Sequence, residues 1–324
     1  MRNASNIIKA LQFIAAANGD DMLAHRRACS RAGPNSGVAT LLKSWASATG
    51  DISPDAQAAY RELLQLSNRR SLVGKIQNAV GFRRVPVQVP VLEQQPPGHG
   101  ADFIQDGGAY PAGSNFEFNS VSLTRKKIGS IVPFTAEMAK LLDASSAVSR
   151  DLIRAIAISE GENFFSTSAA TDAAPAGIAN DLTPETGSND PEADIFKLVD
   201  EFEGDPAEAV LITSTNNGIK LAALYDSTTG AQGGTVAGIT HVTSKEVPDA
   251  EAALIEPGRI LLADDGLEID FTSQADLGEL DSSGDLQGEM VSLWQCNCVA
   301  YRVTRWLNWR PAPGSVVFMN QLDW

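Results

Sequence analysis

Residues 116–134 read FEFNSVSLTRKKIGSIVPF, and they constrain this chain more than any other stretch. They read as one strand. At about 3.3 Å per residue, nineteen residues would extend roughly 60 Å, whereas an ordinary strand has about five or six residues. The apolar phase also switches along the stretch. Phe116 and Phe118 share one parity, Val121 and Leu123 the other, and Ile128, Val132 and Phe134 return to the first. A strand lying on one core keeps one phase, so the pattern predicts a ribbon covered on different faces by different neighbours. In its middle stand three consecutive cations, Arg125, Lys126 and Lys127.

The partner strand is found at residues 82–94, FRRVPVQVPVLEQ, where Val85, Val87, Val89 and Val91 alternate with Pro86, Gln88 and Pro90. The two prolines share a parity. Their missing N–H groups fall on one edge and leave the other free to pair, as in a protected outer strand. The connection between the two strands is rich in Gly and Pro and predicts an irregular tip. A two-stranded ribbon is marginal in water by itself, so these segments together predict an assembly protein.

A chain of 324 residues with 43% hydrophobic content buries a substantial core. No run of about twenty apolar residues is present to span a bilayer, and the first residues lack an export-signal pattern, so no membrane partner and a cytoplasmic start are expected. Cys29, Cys296 and Cys298 are too few and too uneven for a disulfide framework and are expected to be packing residues, the last two as buried thiols on one face of a core strand. The net charge of −15 is uneven: residues 1–100 hold 12 Lys+Arg against 6 Asp+Glu, residues 101–200 hold 7 against 15, and residues 201–324 hold 6 against 19. The basic third suits an anionic partner such as nucleic acid, and the acidic remainder repels one.

The first segment reads as short helices, capped at Ser5 and then at 21–31, 38–47 and 54–66, forming an arm that packs on other chains. A long helix is predicted over 145–165, where apolar residues keep helical spacing and no proline intervenes. After a Gly/Ala/Ser/Thr-rich loop at 166–189, an α+β region follows, with helices at 191–202 and 217–225 and strands at 209–213, 236–247, 253–262 and 267–271. Residues 291–309, VSLWQCNCVAYRVTRWLNW, are apolar on both faces, as a central strand is.

Catalytic signals are sparse. His25, His99 and His241 are far apart, and none stands beside a nucleophile. Cys296 and Cys298 have no second CxC or His pair to complete a zinc site. The run GAQGGTVAG at 230–238 lacks the GK[ST] ending of a phosphate loop and reads as a turn. Carboxylates cluster at Glu160 with Glu162, Asp264 with Asp265, and Asp276 with Glu279 and Asp281. The last two clusters lack calcium-loop spacing, and acid/base work would need a cleft that separates two pKa values. No enzyme activity, catalytic residue, metal or cofactor is expected.

The order of parts resembles the major capsid proteins of tailed bacteriophages with the HK97 fold. The resemblance runs over about residues 69–324. It is carried by RRSLVGKIQNAV, the proline-blocked strand, residues 101–165, TVAGITHVTSKEVP, AALIEPGRILLADDGLEIDFTSQ and VAYRVTRWLNWRPAPGSVVFM, as an ordered set. It implies an α+β, HK97-like capsid fold. In it, 82–134 would be the extended β-hairpin loop, or E-loop, and 145–165 the spine helix of a peripheral domain made of 69–81, 135–187 and 284–324. The axial domain would be 188–283. Residues 1–68 would be a helical amino-terminal arm, expected to be retained since the chain opens at Met1.

The implied function is self-assembly, as hexamers and pentamers, into an icosahedral virion shell enclosing double-stranded DNA without sequence specificity. The shell would assemble in the bacterial host cytoplasm, where portal, scaffolding or cement proteins are possible partners. Subunit-contact candidates are Arg125, Lys126, Lys127, Phe116, Phe118 and Tyr110, the cations facing an acidic surface on a neighbour. Some members carry a lysine before a proline near the loop tip that links covalently to another subunit. Here that position resembles Tyr110 in AYP, which implies a shell without such crosslinks. An encapsulin-like compartment shell and, more distantly, a carboxylate-dependent hydrolase stay open as alternatives.

Overall fold

The computed structural model describes residues 9–10, 13, 21–34, 36–46, 70–94, 104–106, 118–139, 144–224, 228–280 and 286–324. In chain order the helices are α1 (Asp21–Ala32), α2 (Gly37–Ala46), α3 (Leu72–Ala79), α4 (Ala136–Ala139), α5 (Ala144–Phe164), α6 (Pro191–Asp200) and α7 (Thr215–Leu224). The first strands are β1 (Arg83–Arg84), β2 (Val91–Gln94), β3 (Phe118–Val121), β4 (Lys127–Thr135), β5 (Glu185–Thr186), β6 (Val210–Ser214) and β7 (Gly234–Val236). After these come β8 (Ile239–Ser244), β9 (Ala252–Ile255), β10 (Ile260–Thr272), β11 (Asp276–Leu280), β12 (Leu286–Ser292), β13 (Cys298–Pro311) and β14 (Val316–Asn320). The predicted helix at 54–66, the one capped at Ser5 over most of its length, and the loop tip apart from 104–106 lie outside the described residues. Among the described residues no helix is long and apolar enough to cross a membrane.

The chain divides into two units. The first holds Met1–Ser71, Ile128–Ser159 and Gly266–Arg305, and the second holds Leu72–Lys127, Glu160–Asp265 and Trp306–Trp324.

In the first unit, Ala24, Ala28, Val38, Ala39 and Leu42 of the two amino-terminal helices share a buried core with Phe134, Leu152, Ile156, Tyr301 and Val303. Phe134 and Tyr301 stack with ring centroids 5.1 Å apart. The expectation that these helices turn their apolar faces to other chains is therefore corrected, because their own chain supplies the cover. The strands β11 and β12 form a separate two-stranded antiparallel ribbon.

The second unit is built on a six-stranded sheet in the order β5-β14-β9-β6-β8-β7. Period-2 alternation assigns its two faces. Val210, Ile212, Ala253 and Ile255 bury on one side with Leu72, Ile76, Phe164 and Trp309. Leu211, Ala252 and Leu254 bury on the other with Ile195 and Leu198 of α6 and Leu221 of α7. Helix α6 starts where Asp190 accepts hydrogen bonds from the backbone N–H of Glu192 and Ala193, with Pro191 next in line. The long helix and the α+β order thus match the sequence reading. The predicted strand at 253–262 is instead divided by a 3-10 turn, Pro257–Arg259, so that β9 and β10 are separate.

Two strand expectations need larger corrections. Residues 116–134 are not one strand: β3 ends at Val121, residues 122–126 leave the ladder, and β4 starts at Lys127 in a different sheet. The two-stranded pairing is confined to β2 with β3, in the register Val91↔Val121 to Gln94↔Phe118. Pro86 and Pro90 lie outside any strand, beside a turn in which Gln88 takes a positive φ of 60°. The long run 291–309 is likewise interrupted by a turn at 293–297, with Asn297 at φ 50°. Cys296 is therefore exposed in that turn and Cys298 only half-buried, and the expectation of two buried thiols on one strand face is withdrawn.

Candidate functional site

The three cations sit where the chain passes from β3 to β4. Val121 and Leu123 point inward and bury against Leu261 and Ala263 of β10. The backbone between them and β4 is held at both ends: Leu123 C=O accepts from the Gln88 N–H at 2.9 Å, and Lys126 C=O accepts from the Leu307 N–H at 3.0 Å. Asn308 adds a side-chain bond from Nδ2 to the Thr124 carbonyl at 2.6 Å. With the main chain fixed this way, the cations are spread to different partners.

Arg125 pairs with the Asp265 carboxylate, and its guanidinium lies 5.4 Å from the centre of the Trp306 ring. Both members of the ion pair are about half-exposed, so the pair is worth about 0–1 kcal/mol. The ring contact adds about 0.5–1 kcal/mol. Lys126 donates from Nζ to the carbonyls of Thr171 and Asp172, at 2.7 and 2.9 Å. Lys127 is exposed and makes no ion pair among the described residues. Phe118 opens β3, whereas Phe116 and Tyr110 lie outside the described residues.

Sequence reasoning passed over Glu93 and Arg310. Glu93 is buried in β2, and its carboxylate has no hydrogen-bond partner among the described residues. Arg310 Nε stands 3.9 Å away, close enough for charge pairing. The alternation at 85–91 could not have found it, since the turn at Gln88 breaks that run before β2 begins and Val89 is exposed while Glu93 is buried.

The chemistry-bearing groups named earlier do not converge. Asp265 is taken up by Arg125, and His25 approaches Cys29 Sγ at 3.4 Å. His241 is buried between two hydroxyls, with Nε2 at 2.8 Å from Thr213 Oγ1 and Nδ1 bonded to Thr229 Oγ1. Burial drives its pKa down to about 4. Asp281 and His99 lie outside the described residues. Among the described residues no three His, Cys, Asp or Glu side chains gather as a metal site would require. An open cavity of about 600 Å³ in the second unit is bordered by Lys126, Asn180, Asp181, Trp309, Arg310 and Pro313 among others. Asp181 is the one carboxylate among the described residues lining it, and it accepts from Asn180 Nδ2 at 2.7 Å. Hydrolysis by a carboxylate pair, as in glycoside hydrolases, needs a second carboxylate there.

No family profile matches the sequence. The chain is 26% identical over 317 residues to the capsid polyprotein of Pseudomonas phage PAJU2, covering 89% of this chain and 47% of that protein. It thus spans about half the length of that relative. Among solved structures, a chain from Mycobacterium phage Adephagia superposes with a TM-score of 0.53 at 14% identity, covering 78% of this chain and 90% of the other. The chain has the fold of the tailed-phage capsid proteins, the HK97 type. The same capsid fold appears in the capsid of an empty GTA particle computed with C5 symmetry, with a TM-score of 0.51, 12% identity and coverage of 78% and 91%. It appears again in the procapsid of satellite phage P4 including the size determination (Sid) protein, with a TM-score of 0.50, 10% identity and coverage of 86% and 94%.

Proposed function

We propose that this chain is a major capsid protein, assembling with copies of itself into the icosahedral shell around phage double-stranded DNA. The observation that carries the reading is the capsid fold, matched over 78% of this chain and 90% of its structural counterpart. In this reading 82–134 is the extended loop, and Ala144–Phe164 is the spine helix of a peripheral domain formed with 69–81, the rest of 135–187 and 284–324. Residues 188–283 are the axial domain and 1–68 an amino-terminal arm. Hexamers and pentamers form in the host cytoplasm, where portal, scaffolding or cement proteins join them. With Tyr110 where some members carry lysine, the shell holds together without covalent crosslinks.

Electron microscopy of the expressed chain tests this reading, with closed shells as the expected result. Shells from infected cells are expected to protect DNA from nuclease and to run as a single monomer band on denaturing gels. Shells enclosing protein instead of DNA would favour a compartment role, a ladder of bands would refute the crosslink-free reading, and a soluble monomer under all conditions would refute the whole proposal.

The subunit-contact role of the cations narrows to a clean probe. Arg125 and Lys126 have partners in their own chain, so reversing their charge disturbs the fold as well as any contact. Lys127→Glu alters an exposed side chain, with an effect on stability within about 0.5 kcal/mol. It is expected to lower particle yield while the subunit melts as the parent does. Parent-level yield would remove Lys127 from the interface.

A further inference from the structure

β4 lies at one end of its sheet, next to β13, and among the described residues no strand pairs with its outer side. Two bonds fix which backbone groups point there. The Leu307 N–H donates to Lys126 C=O at 3.0 Å just before β4, and the Ala136 N–H donates to Asn297 C=O at 2.9 Å just after it. The two pairs are ten residues apart on both strands, so the antiparallel register runs unbroken between them. Backbone direction alternates along a strand. Even-numbered residues of β4 therefore bond to β13, and the odd-numbered ones from Lys127 to Pro133 turn their backbone groups outward.

The side chains keep the same parity. Ile128 and Val132 pack on the core of the first unit and Phe134 is buried in it, while Lys127, Gly129, Ile131 and Pro133 are exposed, Ile131 by 47%. An open edge invites indiscriminate pairing, and Lys and Pro are the usual guards against it. Both guards stand here on the outward parity, Lys127 at the start and Pro133, which has no N–H to give, near the end. They leave one window, Lys127 to Ile131, whose outward N–H and C=O groups have no partner among the described residues.

That window is complementary to itself. In an antiparallel pairing centred on Gly129, Lys127 faces the partner's Ile131 and Gly129 faces the partner's Gly129, so every outward N–H and C=O of the window is satisfied. Glycine at the centre puts no side chain between the strands. The Lys127 stem lies over the partner's otherwise exposed Ile131 with its ammonium in water. The two ammonium groups stay about 13 Å apart along the strands, beyond the screening length of about 8 Å in physiological salt. Other registers do worse. A shift one way brings Pro133 into the ladder without an N–H, and a shift the other way needs Arg125, which lies outside β4 with its side chain held by Asp265.

No other described edge offers such a run. β1 and β5 have two residues each, β7 three and β3 four. In β2 the Leu92 C=O already accepts from Arg83 Nη2 at 3.3 Å. The β11–β12 pair has a register shift between Leu277 and Glu279, and Gly288 takes a left-handed φ of 83° inside β12. We infer that β4 of one copy pairs antiparallel with β4 of a second copy about Gly129, joining their two sheets across a two-fold axis. The inference rests on the shell reading and names a contact within it.

Proline substitution tests the parity in the otherwise unmodified chain. Ile131→Pro removes an N–H that only a second copy uses, so the subunit is expected to melt as the parent does while shell yield falls about tenfold or more. Ser130→Pro removes an N–H bonded to β13 and is expected to lower the melting temperature itself. For a direct readout, two tagged forms carrying Cys29→Ser, Cys296→Ser and Cys298→Ser are co-expressed, one with Lys127→Cys and the other with Ile131→Cys. Mild oxidation of their shells is expected to join the two tags by a disulfide, and two forms that both carry Lys127→Cys are expected to stay separate. Either parent-level yield from Ile131→Pro or shells without the mixed disulfide would overturn this inference and leave the shell reading standing. A parent chain that never forms shells would overturn both.

Discussion

Trp309→Ala is expected to lower the unfolding free energy of the second unit by about 3–5 kcal/mol, a large share of the roughly 5–15 kcal/mol that holds an ordinary domain folded. Trp309 is 3% exposed and belongs to the cluster with Leu307, Val316 and Phe318. Its ring meets Phe164 edge-on at 5.2 Å, and its Nε1 donates to the Ala176 carbonyl at 2.7 Å. Truncation therefore opens a cavity and strands a carbonyl in one step. Trp309→Phe keeps a ring beside Phe164 while removing the donor and part of the ring volume, and is expected to cost less than the alanine variant, about 1–3 kcal/mol. Urea titration of both variants checks the expectation. A loss under about 1 kcal/mol for the alanine variant would show that the site collapses without penalty.

The second large effect is on acid stability. His241 has a folded pKa of about 4 against an ordinary value of 6.5, because burial penalises its charged form. Thr213 and Thr229 take its two ring nitrogens. Above the ordinary value both folded and unfolded chains hold a neutral ring, and its contribution is fully present. As pH falls through 6.5 the unfolded chain takes up a proton that the folded one refuses, so stability falls until about pH 4, where the folded chain binds it too. The total is about 3 kcal/mol. Unfolding free energies from urea titration should therefore fall further between pH 7 and pH 4 for the parent chain than for His241→Asn, by about that amount. Parallel pH profiles would mean that water reaches His241 and its pKa is the same folded and unfolded.

What was legible beforehand follows from how many physical sources a sequence pattern has. The run over 144–164 has one source, since unbroken helical spacing with no proline fits only a long helix, and Ala144–Phe164 is that helix. Asp190 followed by Pro191 likewise marks one helix start. A phase switch in a strand has two. It arises when other chains cover different faces, or when the chain leaves one sheet of its own molecule and enters another, and at residues 122–126 the second holds. The run VSLWQCNC misled for a related reason. Apolar side chains on both parities fit a central strand, but they also fit a turn that buries Leu293 and leaves Trp294 outside. Of the candidate contacts, the cation cluster was visible as composition. The division of labour inside it depends on Asp265, Trp306 and the Thr171 and Asp172 carbonyls, all distant in sequence.

The place of β14 in its sheet governs how the chain folds as it is made. β14 lies between β5 and β9, antiparallel to β9 from Val316↔Ile255 to Met319↔Ala252, yet it is synthesised after every other strand of that sheet. While the ribosome is still adding β10 to β13, the outer edge of β9 has no partner, and the cluster that needs Val316 and Phe318 is open. The nascent chain therefore shows an unpaired edge beside exposed apolar residues until residues 316–320 emerge. That delay makes completion of the second unit's sheet a late event in the synthesis of the chain.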